Sequence, residues 1–234
     1  MTIPKWQYDE FLPPGVDFTS VEEVQQYDAM HQKFRDYSKA SQMIIQALGL
    51  NLRSTVIDMG SGTGAFTLYA AKQCNQIYAV DISKPMLEYC QKKAETAGVS
   101  NISFHHGGLL TYEHQAEPVD AMVCVAVLHH LPDFWKQIGL QRAAQMIKPG
   151  GKLFLFDIVF SSKEAQLFES IDKMIQAFEQ QAGEQMAREA IIHIKNEYST
   201  YDWIMEGILT KSGFKIDTAQ YNPGFQTTYI CSRV

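Results

Sequence analysis

Four residues at alternate positions define the chemistry this chain can offer. Asp58, Gly60, Gly62 and Gly64 form a D-x-G-x-G-x-G run directly behind the apolar pair Val56-Ile57. Glycine admits φ > 0 and places no Cβ between the main chain and a ligand, so the run reads as a buried strand, a loop open to close approach, and then a helix. Asp81 ends the next apolar stretch, Gln76–Val80, 21 positions after Gly60. At that separation an α/β nucleotide fold brings a carboxylate to a ribose. Together these features describe a site for an adenosine-containing cofactor.

Two cofactor classes fit the glycines. Gly60-Ser61-Gly62-Thr63-Gly64-Ala65 satisfies a dinucleotide fingerprint if Ala65 counts as its last member, which keeps an NAD(P)-dependent oxidoreductase open. Asp58 argues the other way: a carboxylate beside a pyrophosphate is repelled, whereas beside an α-ammonium it is attracted. Asp58 has a plainer alternative role, capping the amides of its own loop. Asp81 could likewise cap the following helix, although Ser83 already suits that position.

The elements needed to position these groups follow from periodicity. Strands are expected over 54–59, 76–81, 101–106, 119–125 and 151–158, with helices over 64–74, 84–97 and 134–147. Five strand-helix units imply a parallel sheet covered on both faces. Ser20 and Glu23 form a capping box for an N-terminal helix, and Gly49 closes a second helix. Residues 161–198 turn wholly helical, too long for a plain connection. Ser199 and Asp202 suggest another capping box, and two last strands meet at Asn222-Pro223-Gly224. The expected organisation is an N-terminal arm and helical cap over 1–50, a cofactor-binding core over 51–160, a helical insertion forming part of a substrate lid over 161–198, and a C-terminal helix and strands over 199–234.

From about Arg53 to Asp157 the chain resembles the class I S-adenosylmethionine-dependent methyltransferases. The motifs are the D-x-G-x-G-x-G run, Asp81–Leu87, strand four at Pro118–Ala126, the loop Leu128-His129-His130-Leu131-Pro132-Asp133, and the turn Ile147–Leu153. The Leu128–Asp133 loop resembles the family's small-molecule branch. The likeness implies a Rossmann-like, seven-stranded, mostly parallel α/β sheet with helices on both faces and an antiparallel C-terminal edge. It also implies S-adenosylmethionine as cofactor. Asp58, Gly60, Gly62 and Gly64 would then take the methionine part, Asp81 the ribose, and Ile82 and Met86 the adenine face, with Leu109 and Ala126 adjoining. One departure stands out. Where many members carry an adenine-binding acid after strand three, this chain has Gly107-Gly108-Leu109-Leu110. Adenine is therefore expected to rely on backbone groups near Leu109.

Transfer from a sulfonium is a one-step displacement in which alignment does most of the work, so no covalent nucleophile is required. His129 and His130 follow strand four, where a base would stand if the acceptor needs one, or else they are structural. Tyr27 and His31 on the N-terminal helix, with His193, Tyr198 and Trp203, form a polar-aromatic set suited to a substrate wall or to ordinary packing. No metal-ligand spacing is evident, and no metal is expected. A formal charge of −6 without a basic stripe argues against nucleic acid and favours a small-molecule acceptor. Four cysteines without C-x-x-C spacing, no signal-peptide core and no 18-residue apolar run point to a cytoplasmic protein without a membrane span. A non-catalytic module that binds S-adenosylmethionine remains a further alternative.

Overall fold

The fold was obtained as a computed structural model, which describes residues 4–12, 14–15, 24, 28, 36–161, 166–222 and 225–234. Strands β1 (Thr55–Met59), β2 (Gln76–Asp81), β3 (Ile102–His106), β4 (Val119–Val125) and β5 (Ile147–Phe160) lie parallel; β7 (Phe214–Tyr221) and β8 (Gln226–Arg233) run antiparallel. The order is β3-β2-β1-β4-β5-β8-β7. An eighth strand not foreseen in the sequence, the two-residue β6 (Thr200–Tyr201), pairs with β5. The described helices include α1 (Tyr37–Leu48), α2 (Ala65–Ala70), α3 (Lys84–Thr96), α4 (Asp133–Met146), α5 (Leu167–Ala182), α6 (Glu184–Asn196) and α7 (Asp202–Lys211), with a single 3-10 turn over Leu128–His130.

Pleating divides the core into two layers. Ile57 and Met59 of β1 join Met122, Leu153 and residues of α4 and α7 on one face. Val56 joins Ile77, Val123, Phe154 and residues of α1 and α2 on the other. With both faces covered, β1 and β4 are buried almost throughout, as parallel central strands must be. Chain order reverses between β1 and β4, and at such a point the strand ends leave a crevice for ligands. The loops after β1 and β4 flank it.

Several boundaries depart from the periodic reading. Helix α2 stops at Ala70 rather than 74, and the side-chain amide of Asn101 takes the carbonyls of Ala71 and Cys74 beyond its end at 2.8 and 3.0 Å. Strand β5 begins at Ile147, inside the turn expected before it. Ile147 pairs with Val119, and the register shifts before pairing resumes at Ala121, so Lys148–Gly151 is an irregularity within the strand. The Ser199/Asp202 capping box does not form. Ser199 Oγ bonds His193 Nε2 at 2.7 Å, Asp202 takes its neighbour's amide, and α7 starts without a side-chain cap. By contrast, Ser83 caps α3 through the Met86 amide at 3.2 Å, and Gly49 closes α1 in the left-handed conformation. The Ser20/Glu23 box lies outside the described residues.

The N-terminal arm is held by specific bonds across the crevice. Gln7 Nε2 donates to the Leu110 carbonyl at 3.4 Å and Tyr8 Oη to the His130 carbonyl at 3.1 Å, while Trp6 stacks on Trp135. Residues 4–10 thus tie the loop after β3 to the loop after β4.

Candidate active site

The loop after β1 is built by exclusion of side chains. At Gly64, where φ is +87°, a Cβ would stand 2.2 Å from Cys90 Sγ of α3; at Gly62, where φ is +51°, it would meet nothing within 4 Å. Gly64→Ala is therefore expected to lose about 2–4 kcal/mol, overpacking added to backbone strain, and Gly62→Ala only about 1 kcal/mol. Urea midpoints of the two variants measure the difference; equal losses would rule out the Cys90 overlap as its cause. From the side, Asp28 accepts from Thr63 Oγ1 and from Lys93 Nζ, the latter at 2.6 Å, and Lys93 also reaches the Thr63 carbonyl at 3.0 Å.

Both acids expected at the site face one cavity of about 630 Å³, within the range of ligand pockets. Asp81 Oδ2 accepts from the Gly62 amide at 2.7 Å and Oδ1 from the Ser83 amide at 2.8 Å, so the carboxylate braces the loop and retains lone pairs. Burial raises its pKa against those bonds. Asp58 is 3% exposed, and burial pushes it up to about 7, against the opposing bond from Thr67 Oγ1 at 2.5 Å. Ser61 Oγ is buried in the same wall with no hydrogen-bond partner among the described residues. Gly60, Gly62, Ile82, Met86, Leu109 and Ala126 all line the cavity, whereas Gly64 does not. Its role there is steric. Ala126 holds φ of 58°, a strained conformation at the end of β4.

A carboxylate reaches the position after β3 from another part of the chain. Glu10 is 6% exposed and accepts from the Leu110 amide at 3.1 Å and from Thr111 Oγ1 at 2.6 Å. A Cβ on Gly108 would lie 2.5 Å from Glu10 Oε2. The side chain absent at 108 thus makes room for a carboxylate delivered by the arm. Burial raises the pKa of Glu10. Of the backbone groups expected to serve adenine near Leu109, the Leu109 carbonyl already accepts one bond, from Arg142 Nε at 3.0 Å. No local signal in the sequence marked Glu10, about 100 positions from its partners.

The histidines separate. His130 lines the cavity and His129 does not. His129 Nδ1 stands 2.6 Å from Asp157 Oδ1, and Asp157 Oδ2 accepts from the Leu128 amide at 2.7 Å. The charge on His129 holds Asp157 down to about 2, although burial opposes it, and Asp157 in turn raises His129. Burial, with His129 beside it, lowers His130 to about 4, so its ring is neutral at pH 7. His193, Tyr198 and Trp203, expected as a substrate wall, do not line the cavity. His193 contacts Glu197, Tyr198 meets Tyr8 edge-on, and Trp203 is 64% exposed. His193 and Tyr198 pack behind the loop after β4, the His193 ring 4.7 Å from that of His129 and the Tyr198 amide donating to the His129 carbonyl at 2.7 Å. Tyr27 and His31 lie outside the described residues. Instead Gln220, Asn222, Gln226 and Thr228 of the C-terminal hairpin, with Phe154 and Phe156, line the far part of the cavity.

A doubly wound sheet with a glycine loop and strand-end acids at its switch point defines a nucleotide-type cofactor fold. Its antiparallel β8-β7 edge offers, among the described residues, no second parallel half for a nicotinamide. Residues 56–151 match the family model described as a methyltransferase domain. The chain is 27% identical to an uncharacterized methyltransferase of Geobacillus kaustophilus (strain HTA426), covering 85% of each chain. Among solved structures it resembles an S-adenosylmethionine-dependent methyltransferase of Clostridium acetobutylicum at 14% identity and a TM-score of 0.68, over 91% of this chain and 98% of that one. A magnesium protoporphyrin IX methyltransferase of Synechocystis with bound S-adenosylmethionine matches at 16% identity and a TM-score of 0.57, over 96% and 88%. Residues 56–151 thus resemble a methyltransferase domain, and the fold as a whole is that of solved S-adenosylmethionine-dependent methyltransferases. Its four cysteines are free and buried, and no helix among the described residues is long and apolar enough to cross a membrane.

Proposed function

We propose that the protein transfers a methyl group from S-adenosylmethionine to a small, uncharged acceptor bound in the far part of the same cavity. One observation carries this reading: Asp58 and the orphaned Ser61 Oγ, Asp81, and Glu10 converge on a single cavity from three different segments. Two carboxylates and a hydroxyl around a glycine loop suit a ligand with an ammonium group and a ribose; bridged phosphates would meet like charge. Asp58 would hold the α-ammonium, Ser61 and the loop amides the carboxylate, and Asp81 the ribose hydroxyls. Ile82, Met86 and Leu109 would flank the adenine, with Glu10 accepting from its amino group.

When bound, the cofactor supplies an electrophilic methyl on sulfur. The chain's own residues orient the acceptor and exclude water. Phe154, Phe156, Gln220, Asn222 and Thr228 offer aromatic faces and neutral hydrogen-bonding groups, which favours an acceptor without net charge. The Synechocystis neighbour is a magnesium protoporphyrin IX methyltransferase, so a small-molecule acceptor occurs on this fold, although that one carries propionates. His130, neutral beside this wall, is the group positioned to accept a proton if the acceptor loses one.

The decisive measurement is calorimetric titration of the full chain with S-adenosylhomocysteine, followed by product release assayed across aromatic and heterocyclic acceptors. Saturable one-to-one binding and S-adenosylhomocysteine formation with a neutral acceptor are expected. Lack of binding would refute the cofactor assignment, and turnover only with charged macromolecules would refute the acceptor class. The folded lid expected over 161–198 is retained as part of this proposal, although neither α5 nor α6 lines the cavity.

A further inference from the structure

Behind His130 the fold assembles a second group of ligating atoms. His129 Nε2 lies 3.4 Å from Glu197 Oε2, and His130 Nδ1 lies 3.9 Å from Glu197 Oε1. The three residues offer ligand atoms that all fall within 4.8 Å of one another. Four-coordinate zinc has ligands about 2.0–2.1 Å from the ion, which sets ligand atoms roughly 3.4 Å apart. The spacing here is of that order before any ion draws the groups together.

The surroundings hold these atoms in a ligating posture. Asp157 takes His129 at Nδ1, which leaves Nε2 directed at Glu197. Asp157 is itself fixed by the amides of Leu128 at 2.7 Å and Ile158 at 2.8 Å. A carboxylate holding the far nitrogen of a histidine is the usual outer support of a metal ligand. Glu197 is steadied by His193 Nδ1, whose other nitrogen bonds Ser199 Oγ at 2.7 Å. Lys136, the nearby cation, is engaged by Asp133 at 2.6 Å and by the Tyr198 carbonyl.

A polar atom without a partner points the same way. His130 Nδ1 is buried and unpaired among the described residues, although it faces a carboxylate. Leaving such an atom unsatisfied costs on the order of 1–3 kcal/mol, so a structure that keeps one buried usually has a ligand for it. We propose that His129, His130 and Glu197 form a binding site for one divalent transition-metal ion of the zinc class, with Asp157 and His193 as positioning residues. Imidazole with carboxylate suits zinc or cobalt better than magnesium or calcium. Three protein ligands leave a fourth coordination position, the arrangement that distinguishes catalytic from structural zinc sites. None of its ligands belongs to the glycine loop or the two strand-end acids, but His130 also lines the acceptor cavity, so with the ion bound its imidazole is a ligand and not the proton acceptor.

The test is titration of the full chain, freed of metal by chelator, with Co²⁺ followed by visible ligand-field bands, and with Zn²⁺ followed by calorimetry and melting temperature. One equivalent of each ion, four-coordinate cobalt bands and a rise in melting temperature are expected. His130→Ala and Glu197→Gln should weaken binding by more than about 100-fold, and Asp157→Asn by about 10–100-fold. His114→Ala, a histidine bonded to Tyr112 away from the cluster, should leave binding unchanged. If Glu197→Gln fails to fold, His130→Ala carries the variant comparison, and the wild-type stoichiometry and bands stand alone as a check. Absence of stoichiometric binding by the wild type overturns the proposal. Binding that survives His130→Ala in a folded protein overturns it too, since the ion would then sit elsewhere.

Discussion

Replacing Asp81 by alanine is expected to reduce affinity for S-adenosylhomocysteine by about 10²–10⁴-fold while leaving a folded protein. Two hydrogen bonds from ribose hydroxyls to a buried carboxylate are worth about 1.5–3 kcal/mol each, and each 1.4 kcal/mol is tenfold in affinity. The same carboxylate braces the glycine loop through Gly62 and the start of α3 through Ser83, so a modest drop in stability should accompany the loss. Calorimetric titration of the variant, with circular dichroism to establish folding, measures both. An affinity within threefold of the wild type would mean that Asp81 braces the loop and does nothing for a ligand.

Asp58→Asn should separate stability from binding in opposite directions. In the folded chain burial holds this carboxyl near 7, against about 3.9 in the unfolded chain. The sign follows from linkage: a raised folded value favours the fold below the unfolded pKa, and that contribution is lost as pH rises through the folded pKa. Between pH 4 and 8 the wild type should therefore lose on the order of 3–4 kcal/mol that the variant keeps. Asparagine retains an acceptor for Thr67 Oγ1 and carries no charge to desolvate. The variant should thus melt higher than the wild type at pH 8 and much the same at pH 4.5. On the proposed reading it should also bind S-adenosylhomocysteine at least tenfold more weakly, having lost the partner of the ammonium group. A variant no more stable at pH 8 would mean that Asp58 is ionised and well solvated in the fold; undiminished affinity would remove it from the ligand's contacts.

These two acids also show how the chain divides between what was legible and what was not. Local pattern sufficed for the parallel core. Strands β2 and β4 fall where alternation and apolar runs place them, because central parallel strands need a continuous apolar run whatever surrounds them. The Asp58–Gly64 loop and Asp81 were readable for a related reason, since backbone geometry at a strand end demands particular residue types at fixed spacing. The Ser83 cap and the Gly49 terminus belong to the same class of short-range signal.

Competition between alternative partners was not readable. The Ser199/Asp202 box was sound as local chemistry, but His193 and Trp203 supply partners that outcompete it. His193, Tyr198 and Trp203 have the composition of a substrate wall, yet His193 is engaged by Glu197 and Ser199, Tyr198 meets Tyr8 of the arm and Trp203 faces solvent. Composition says nothing about the direction in which a side chain points. The cavity is instead completed by β7 and β8, whose polar residues look like ordinary edge-strand surface until the antiparallel hairpin lies beside β5.

By itself, the sequence determined the class of fold, the position of the glycine loop and of Asp81, and the likeness to methyltransferases, because each rests on short runs whose residue types a strand end or a turn demands. Tertiary structure alone decided that Glu10 occupies the space left by Gly108, that His130 and not His129 meets the cavity, and that Glu197 closes on both histidines. Those outcomes depend on how separate segments come together around the sheet. Loop closure over a hundred residues leaves no trace in local spacing, so only the assembled packing could reveal them.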